Sequence, residues 1–551
     1  MSGILIKGNG PVNAKIVAIG ECPAHYEEIY GIPFAGPSGY KLGNWLGKAG
    51  LDRKDIRVEN VCPYRAPGDN IERFPPDYLA ICMRHLHERI ASLEDPYVLV
   101  PMGNYATFAL TGKGKVKAAV RKEFGEEVKA SKAEKKAGIT KLRGSIYTYT
   151  DLNGRSMKVI PTVHPAFLLH GVNSKWEKRC VADWRRIRED SKTKELNLPN
   201  YQHQIVQSTK ELEDIVPMIE AYQFIMAIDI ENWGNALSCV GFCYDPDYSL
   251  VIPTNTKESL AKYIPYIKRI CESQSQKVTQ FGLHDAYWLD AYGIELRNWI
   301  WDTGLMHHAY DPVDDHALHY LCSRYTRQPY YKDQAKDAEE IIKYVGDLYT
   351  LWEYNGLDNT VTREVFDVLY GKLTEKGLLD FYIRHYAEML PILLDVMRHG
   401  VRVDTQKQKR RAGQLLTECA GIRQELKEAA GEDLFAEKDF SPIKLRRFFY
   451  ETLGLPEQKR WTKGKSGKKK TVTLDEAALR KLTVNYPKKI GEWGLKVLKH
   501  REKKKEADYL KGAWDKDGRI RCTYKMTTEA GRLASAKNPM GGGYNLQNIK
   551  R

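Results

Sequence analysis

Short β-like runs alternate with helix-like stretches over residues 16–170, and this rhythm limits how the chain can fold. The runs KIVAIG, YVLVPMG and KVIPTV are short and apolar, and each is followed by Gly, Pro or polar residues. Strands that alternate with helices pack as α/β layers. A second such block opens at FIMAIDIEN and extends to about residue 371. The sequence therefore predicts a multidomain α/β protein.

The length of 551 residues gives a soft expectation of three to four domains at about 150 residues each. Residues 185–200 are charged and poor in apolar side chains, which is typical of a linker. The Lys-rich residues 113–138 favour an exposed insertion, and the pattern from residue 381 is long and helical. The predicted domains are 1–190, 205–375 and 376–551, with a linker at 191–204.

The charge balance predicts a polyanionic partner. Lys and Arg number 86 against 71 Asp and Glu, a formal net charge of +15, and such an excess favours nucleic acid. No apolar run approaches the roughly 18 residues of a membrane span, so we expect no membrane. The ten Cys form no CxxC pair, which argues against a disulfide framework and a zinc ribbon.

Acidic residues in the second block predict a metal site. Asp229 and Glu231 are two residues apart on a β-like run, which places both carboxylates on one face. Asp285 follows, and Tyr354 lies four residues before Asp358, so those two share a helix face. Carboxylates in such a set can hold two divalent cations that activate water against a phosphodiester. Each acid alone could equally be solvated.

The order Asp-x-Glu, Asp, Tyr-x-x-x-Asp resembles the Tyr subtype of the DEDD 3′–5′ exonucleases, over roughly residues 205–370. The joining text WDTGLMHHAYDP is similar to that of family A DNA polymerases. The resemblance implies an RNase H-like domain in which Mg²⁺ or Mn²⁺ binds the four acids and the tyrosine orients the water. The family often has Asn four residues before the third acid, where this chain has Phe281.

The helical region predicts contacts with DNA phosphates. Seven of the twelve residues 459–470 are Lys or Arg, which favours a basic DNA-binding loop over a solvated face. The text from EMLPILLDVMRHGVRVD to TTEAGRLASAKNPMGGGYNLQNIKR resembles the thumb and first part of the palm of family A polymerases of bacteriophage type. The DNA-binding residues that we predict are Lys463, Lys465, Lys468 and Lys469 from the basic loop, and, by the resemblance, Arg532, Gln547 and Asn548.

The family's two palm carboxylates and its fingers helix lie downstream of the NLQNI motif. We therefore expect nucleotidyl transfer to need a second polypeptide that supplies them, as in a split polymerase, because an isolated thumb and half palm would expose an apolar face. A truncated or interrupted polymerase is the alternative. Processivity or replisome proteins are further partners that such a role implies.

The first block carries a loop dense in Gly and Pro after its first strand, which lets backbone approach a ligand closely. Phe34 in that loop could stack on a base, Asn60 could pair with a pyrimidine edge, and His164 follows a strand as a catalytic-loop histidine would. The structural alternatives are a core aromatic, a turn asparagine and a capping histidine.

The segments GECPAHYEEIYGIPFAGPSG, VENVCPYRAPGDN and VHPAFLL resemble the thermophile-type, iron–sulfur branch of the uracil-DNA glycosylases, over roughly residues 14–172. The resemblance implies an α/β/α sandwich in which Glu21 helps activate water, Phe34 stacks on flipped uracil, Asn60 reads the base edge and His164 stabilises the leaving base. Cys62 and Cys82 fall where two of the branch's four cluster ligands lie. The N-terminal CxxC is absent, so we expect no iron–sulfur cluster.

The leading hypothesis is a DNA replication protein that joins a glycosylase-like domain, a proofreading exonuclease and part of a polymerase. Such a protein would work in the cytoplasm, that of the bacterial host if a phage encodes it. The alternatives are a stand-alone repair exonuclease or glycosylase, and a truncated polymerase that acts as a DNA-binding scaffold.

Overall fold

The computed structural model of the chain describes residues 3–125, 137–169, 174–332, 347–437, 439–464, 467–511, 514–543 and 545–548. The chain divides into two units, each described by itself. The first comprises residues 1–392 and 526–532, and the second comprises residues 393–525 and 533–551. Among the described residues, no helix is both long and apolar enough to cross a membrane.

The first sheet of the first unit has the strand order β2-β1-β3-β5-β4, and β4 alone runs antiparallel to its neighbour. Residues alternate between two cores across β1, because Val17 and Ile19 pack on one face while Ile16 and Ala18 pack on the other. Helices cover both faces, as in the predicted sandwich. The strands are β1 Ile16–Gly20, β2 Ile56–Asn60, β3 Val98–Pro101, β4 Tyr147–Thr150 and β5 Ser156–Val159.

The helices around this sheet correct two predictions. The first core includes Val120, so the stretch predicted as an exposed insertion contributes a packed helix, α5, and residues 126–136 lie outside the described residues. The predicted linker from Arg185 is wrong for its first six residues, because helix α7 continues to Asp190 and buries Ile187. The helices are α1 His25–Tyr30, α2 Pro37–Ala49, α3 Pro76–Ala91, α4 Asn104–Thr111, α5 Ala118–Phe124, α6 Ile139–Leu142 and α7 Ser174–Asp190.

The second sheet of the first unit has the order β11-β10-β7-β8-β9-β6. Strands β7, β8 and β9 form an antiparallel meander, while β10 is parallel to β7 and β6 is parallel to β9. Its first strand begins at residue 202, inside the stretch predicted as a linker at 191–204. The strands are β6 Gln202–Ile205, β7 Ile225–Trp233, β8 Ala236–Asp245, β9 Tyr248–Pro253, β10 Gln276–Thr279 and β11 Trp299–Asp302.

The helices of this second domain pack on the sheet, and the longest described helix, α13, lies against β7, β8 and β9. The helices are α8 Thr209–Ala221, α9 Lys257–Cys271, α10 Leu283–Ala291, α11 Thr303–Tyr310, α12 Leu318–Tyr325, α13 Tyr349–Glu375 and α14 Leu379–Tyr382.

Two glycines set how closely α13 approaches the sheet. Gly241 on β8 is the backbone partner of Asp229, and a Cβ there would lie 2.1 Å from the Asn355 Oδ1 atom. Gly356 on α13 would place a Cβ 2.8 Å from the His203 Cγ atom. Side chains at either position would push the helix away from the sheet.

The second unit is mostly helical, and its long helices α16 (Thr405–Ala430) and α20 (Trp493–Leu510) pack along each other. One prediction is corrected here. The stretch expected to be a loop contains two paired antiparallel strands, β15 at Lys459–Gly464 and β16 at Gly467–Val472. The two strands pair up to Gly464 and Gly467, and glycine favours the tight turn that joins such strands.

The remaining elements are α15 Met389–His399, α16 Thr405–Ala430, α17 Pro442–Arg446, α18 Glu476–Asn485, α19 Pro487–Ile490, α20 Trp493–Leu510, β12 Val401–Arg402, β13 Phe435–Ala436, β14 Asp439–Phe440, β15 Lys459–Gly464, β16 Gly467–Val472, β17 Arg519–Ile520, β18 Cys522–Lys525 and β19 Ala534–Lys537.

The close approach of α13 predicts opposite effects for two glycines of the same helix. Gly356→Ala should lower the free energy of unfolding by about 1–3 kcal/mol, because the new methyl group meets His203 and the Ser249 hydroxyl. Gly371→Ala is the matched control, since no described residue lies within 4 Å of its Cβ position, and it should be neutral or stabilising by up to about 1 kcal/mol. Thermal unfolding of both variants measures this, and equal effects would contradict the close approach.

Candidate active sites

An acidic cluster forms where β7 meets α13. Asp229 and Glu231 share one face of β7, and Asp358 projects from α13 toward them. One ligand oxygen from each of the three lies within 4.8 Å of the others. Within the described parts of the chain, these three acids form a group of side chains that lie close enough together to hold a metal ion. The structure thus brings three of the predicted acids together.

The fourth predicted acid, Asp285, lies on α10 outside that tight group, and its charge helps to raise the pKa of Asp229. Its carboxylate is buried, and His284 Nδ1 lies 3.1 Å from its Oδ1 atom. Its Oδ2 atom is buried and has no hydrogen-bond partner among the described residues. An unpaired buried carboxylate oxygen is costly, and a cation would satisfy it.

The electrostatics of the cluster also fit divalent cations. Burial, together with the charges of Asp285, Asp358 and Glu231, raises the pKa of Asp229 well above its usual value. Burial and the charge of Asp358 raise the pKa of Glu231 to about 8. Carboxylates held close together in a buried site disfavour one another's ionised form. A hard cation that binds their oxygen atoms stabilises that ionised form. The residues therefore fit the Mg²⁺ or Mn²⁺ that the exonuclease resemblance implies.

Neighbouring side chains hold these acids in place, and the sequence prediction missed them. Asn355 Nδ2 donates to Asp229 Oδ2 at 2.8 Å, and the Tyr331 hydroxyl donates to Asp358 Oδ1 at 2.6 Å. Lys332 Nζ donates to Asp358 Oδ2 and, at 2.7 Å, to the Tyr354 hydroxyl. Asn355 adjoins a motif residue and could have been suspected, whereas Tyr331 and Lys332 are distant in sequence and gave no signal.

Tyr354 lies one turn before Asp358 on α13, as predicted. Burial and the nearby carboxylates raise the pKa of Tyr354, so its hydroxyl stays protonated and can donate a hydrogen bond. Phe281, four residues before Asp285, has φ of +60° and is 37% exposed. A Cβ at Gly304 would lie 2.5 Å from its ring, so glycine makes room for it. Backbone strain at a bulky side chain is typical of a functional position.

The predicted base-binding residues converge at the end of β1. A Cβ at Gly20 would lie 2.4 Å from the Asn60 Oδ1 atom and 2.7 Å from the Phe34 Cζ atom. The rings of Phe34 and His164 are 5.7 Å apart. Phe34 has φ of +58°, a second strained aromatic residue. Glycine at position 20 therefore lets an aromatic face and an amide approach the same point.

Glu21 and His164 have environments suited to acid–base work. The Glu21 Oε1 atom accepts a hydrogen bond from the Tyr105 amide at 3.1 Å, in the first turn of α4. Burial raises the pKa of Glu21 to about 7, near the pH at which a general base works best. Burial lowers the pKa of His164 to about 4. The Ala166 amide donates to its Nδ1 atom at 3.3 Å, so the neutral ring carries its proton on Nε2.

Cys62 and Cys82 are both buried and hydrogen-bonded to each other. The hydrogen bond from Cys62 is the largest influence on the pKa of Cys82 and lowers it to about 7, and a hydrogen bond from Tyr78 acts in the same direction. Burial opposes this shift. Cys82 and Asn60 both line a cavity of about 500 Å³. Two thiols supply half of the ligands of a four-cysteine cluster.

The predicted DNA-binding residues are divided between the two units of the chain. Arg532 is exposed in the first unit, and Gln547 is exposed in the second, where its Nε2 atom donates to the Leu533 carbonyl at 2.8 Å. Asn548 ends a 3₁₀ turn. The backbone of Lys463 pairs with that of Lys468 across the hairpin, beside Lys469. The side chains of Asn548 and of these three lysines, and all of Lys465, lie outside what the structure describes.

The second unit contains a basic cavity of about 670 Å³ that the sequence analysis did not predict as a site. Four cationic side chains and three glycines surround it, together with two aspartates and aromatic rings. Exposed glycine backbone beside Lys and Arg suits a phosphate group. The basic and glycine residues are Arg501, Lys504, Lys505, Lys537, Gly541, Gly542 and Gly543.

Comparison with known proteins assigns the two α/β domains. Residues 7–185 match the profile of the uracil DNA glycosylase superfamily, and residues 203–374 match that of a 3′–5′ exonuclease. The type-4 uracil-DNA glycosylase of Saccharolobus solfataricus is 29% identical over 198 residues, which cover 36% of this chain and 80% of that protein.

DNA polymerases match a longer stretch. DNA polymerase I of Rhizobium leguminosarum is 28% identical over 298 residues, 52% of this chain and 27% of that protein. The DNA polymerase of Bacillus phage SP01 is 24% identical over 344 residues, 55% of this chain and 33% of that protein. Among solved structures, the POL domain of Pol1 from M. smegmatis aligns over 64% of the chain at 18% identity with a TM-score of 0.47.

The chain therefore carries a uracil-DNA glycosylase-like domain followed by a 3′–5′ exonuclease domain, and it has DNA polymerase I homologues. It spans about a third or less of the length of these polymerase relatives. The predicted fold classes of both α/β domains are confirmed.

Proposed function

We propose that this protein is a metal-dependent 3′–5′ DNA exonuclease that removes terminal nucleotides during replication. The observation that carries the proposal is the cluster of Asp229, Glu231 and Asp358 within 4.8 Å, on a domain that matches 3′–5′ exonucleases. The unpaired buried Oδ2 atom of Asp285 supports a second ligand position beside it. The protonated hydroxyl of Tyr354 borders the same cluster.

Each residue of the cluster has a distinct task. Mg²⁺ or Mn²⁺ bound to the acids would lower the pKa of a water and stabilise the leaving oxygen. Tyr354 donates a hydrogen bond that orients the attacking water toward the phosphorus. Asn355 keeps Asp229 turned toward the cluster. The exposed ring of Phe281 offers a face on which the terminal base can stack.

Removal of two acids should abolish the activity. Asp229→Ala with Glu231→Ala takes away ligand oxygens on one face of β7, so release of nucleotides from a 3′-labelled oligonucleotide in Mg²⁺ should fall by at least about 10³-fold. Glu213→Ala, at an exposed acid of α8, is the control and should retain full activity. Degradation that continues unchanged in the double variant would disprove the exonuclease assignment.

A second proposed activity is removal of uracil from DNA. The observation that favours it is the convergence of Phe34, Asn60 and His164 around Gly20, in a domain that matches the glycosylase superfamily. Phe34 would stack on the extruded base and Asn60 would bond its edge. The neutral His164 would donate a hydrogen bond from its Nε2 atom to the leaving base and so stabilise the charge on it, while the Glu21 carboxylate activates water.

The titration of Glu21 gives this activity a pH signature. Uracil release needs the carboxylate form, so the rate should rise as pH increases through about 7 and then level off. His164 stays neutral above pH 4 and adds no second limb in that range. An abasic-site assay on uracil-containing single strands measures the profile. Glu21→Gln should remove the rise, and His164→Ala should lower the plateau by about 10²–10³-fold; no cleavage by wild type would refute the activity.

The finer proposal is that the protein acts within a family A DNA polymerase and that a second polypeptide completes its palm and fingers. The net charge of +15 and the basic cavity of the second unit support DNA as the common ligand. Co-expression with a polypeptide that carries palm carboxylates should give a complex that extends a primer. If no complex forms and the chain degrades DNA alone, the protein is instead a stand-alone repair nuclease.

A further inference from the structure

Lys332 lies beside the acidic cluster of Asp229, Glu231 and Asp358, although it belongs to none of the sequence motifs that predict the cluster. Its Nζ atom donates to Asp358 Oδ2 and to the Tyr354 hydroxyl, and it lies 4.8 Å from the centre of the Tyr354 ring. Its side chain is 20% exposed, against 6% for the Asp358 side chain. The Lys332 ammonium group therefore reaches the carboxylates from the solvent side, at the end of a long and flexible side chain.

The charge of Lys332 acts on the whole cluster. It opposes the rise in the pKa of Asp229 and of Glu231, which burial and the other acids produce. Four carboxylates together would carry a charge of −4, and Lys332 reduces it by one. The ammonium group thus performs part of the neutralisation that a divalent cation would perform.

Lys332 also occupies a ligand position. Both oxygens of Asp358 accept hydrogen bonds, Oδ1 from the Tyr331 hydroxyl and Oδ2 from Lys332. Tyr331 is 3% exposed and fixed in the core. Lys332, being partly exposed, is the partner that can swing away without opening the core.

We propose that Lys332 is an internal counter-cation that competes with a divalent ion for Asp358 and is displaced when that ion binds. This inference rests on the proposed exonuclease site. In the displaced state Tyr354 also loses its hydrogen bond from Lys332, which frees the hydroxyl oxygen beside the reacting phosphate. Lys332 is thus a positioning residue that couples the occupancy of the metal site to the freedom of Tyr354.

The test is Mn²⁺ binding measured on the whole chain without DNA, by electron paramagnetic resonance of free Mn²⁺. Lys332→Met should tighten binding by about tenfold, because the competing charge is gone. Lys332→Arg keeps a charge and should stay within about threefold of wild type. Lys257→Met, at an exposed lysine in the first turn of α9, is the control and should not change the affinity.

Thermal unfolding supplies a second readout. In EDTA, Lys332→Met should unfold at a lower temperature than wild type, because the acids have lost their counter-cation, and saturating Mn²⁺ should close that gap. Lys332→Gln replaces the methionine variant if circular dichroism shows that the latter is unfolded, and the same directions are expected. Unchanged or weaker Mn²⁺ binding in the folded neutral variant would overturn the inference.

The two proposals fail in different ways. If wild type binds no Mn²⁺ and Asp229→Ala changes nothing, the metal site itself is disproved and the role of Lys332 falls with it. If wild type binds Mn²⁺ and degrades DNA while Lys332→Met binds no more tightly, the exonuclease stands and only the competition by Lys332 is rejected.

Discussion

The packing of α13 on strands β7 and β8 holds the acidic cluster of the exonuclease domain together. The strand supplies Asp229 and Glu231, and the helix supplies Tyr354 and Asp358. The two sets meet because glycine stands at position 241 on β8 and at position 356 on α13, where a side chain would collide with the opposing element. Positions separated by more than a hundred residues thereby come within the reach of one ion.

That packing brings an electrostatic cost that defines the chemistry. Acids driven together in a buried site raise one another's pKa, and the buried Oδ2 atom of Asp285 has no hydrogen-bond partner within the described ranges. In the first domain, burial raises the pKa of Glu21 to about 7 and lowers that of His164 to about 4. The acidic cluster therefore fits cations, whereas the first domain holds a carboxylate and a neutral imidazole.

Much of the exonuclease site could be read from spacing alone. The separation of two residues between Asp229 and Glu231 on a strand, and of four between Tyr354 and Asp358 on a helix, fixes a shared face before any tertiary contact is known. The hairpin at 459–470 was harder to foresee, because a run of lysines looks the same in a loop and in a solvent-exposed ribbon. The end of α7 was missed because charged residues mask the buried Ile187.

The sequence by itself determined the α/β class of the first two domains, the acids that form the cluster and the basic character that suits DNA. These follow from local periodicity and charge, which do not depend on distant contacts. The tertiary structure alone decided that Lys332 lies against Asp358 and that Phe34 and Asn60 meet around Gly20. Those pairs join separate segments of the chain, and only the packing of the layers sets the distances between their side chains.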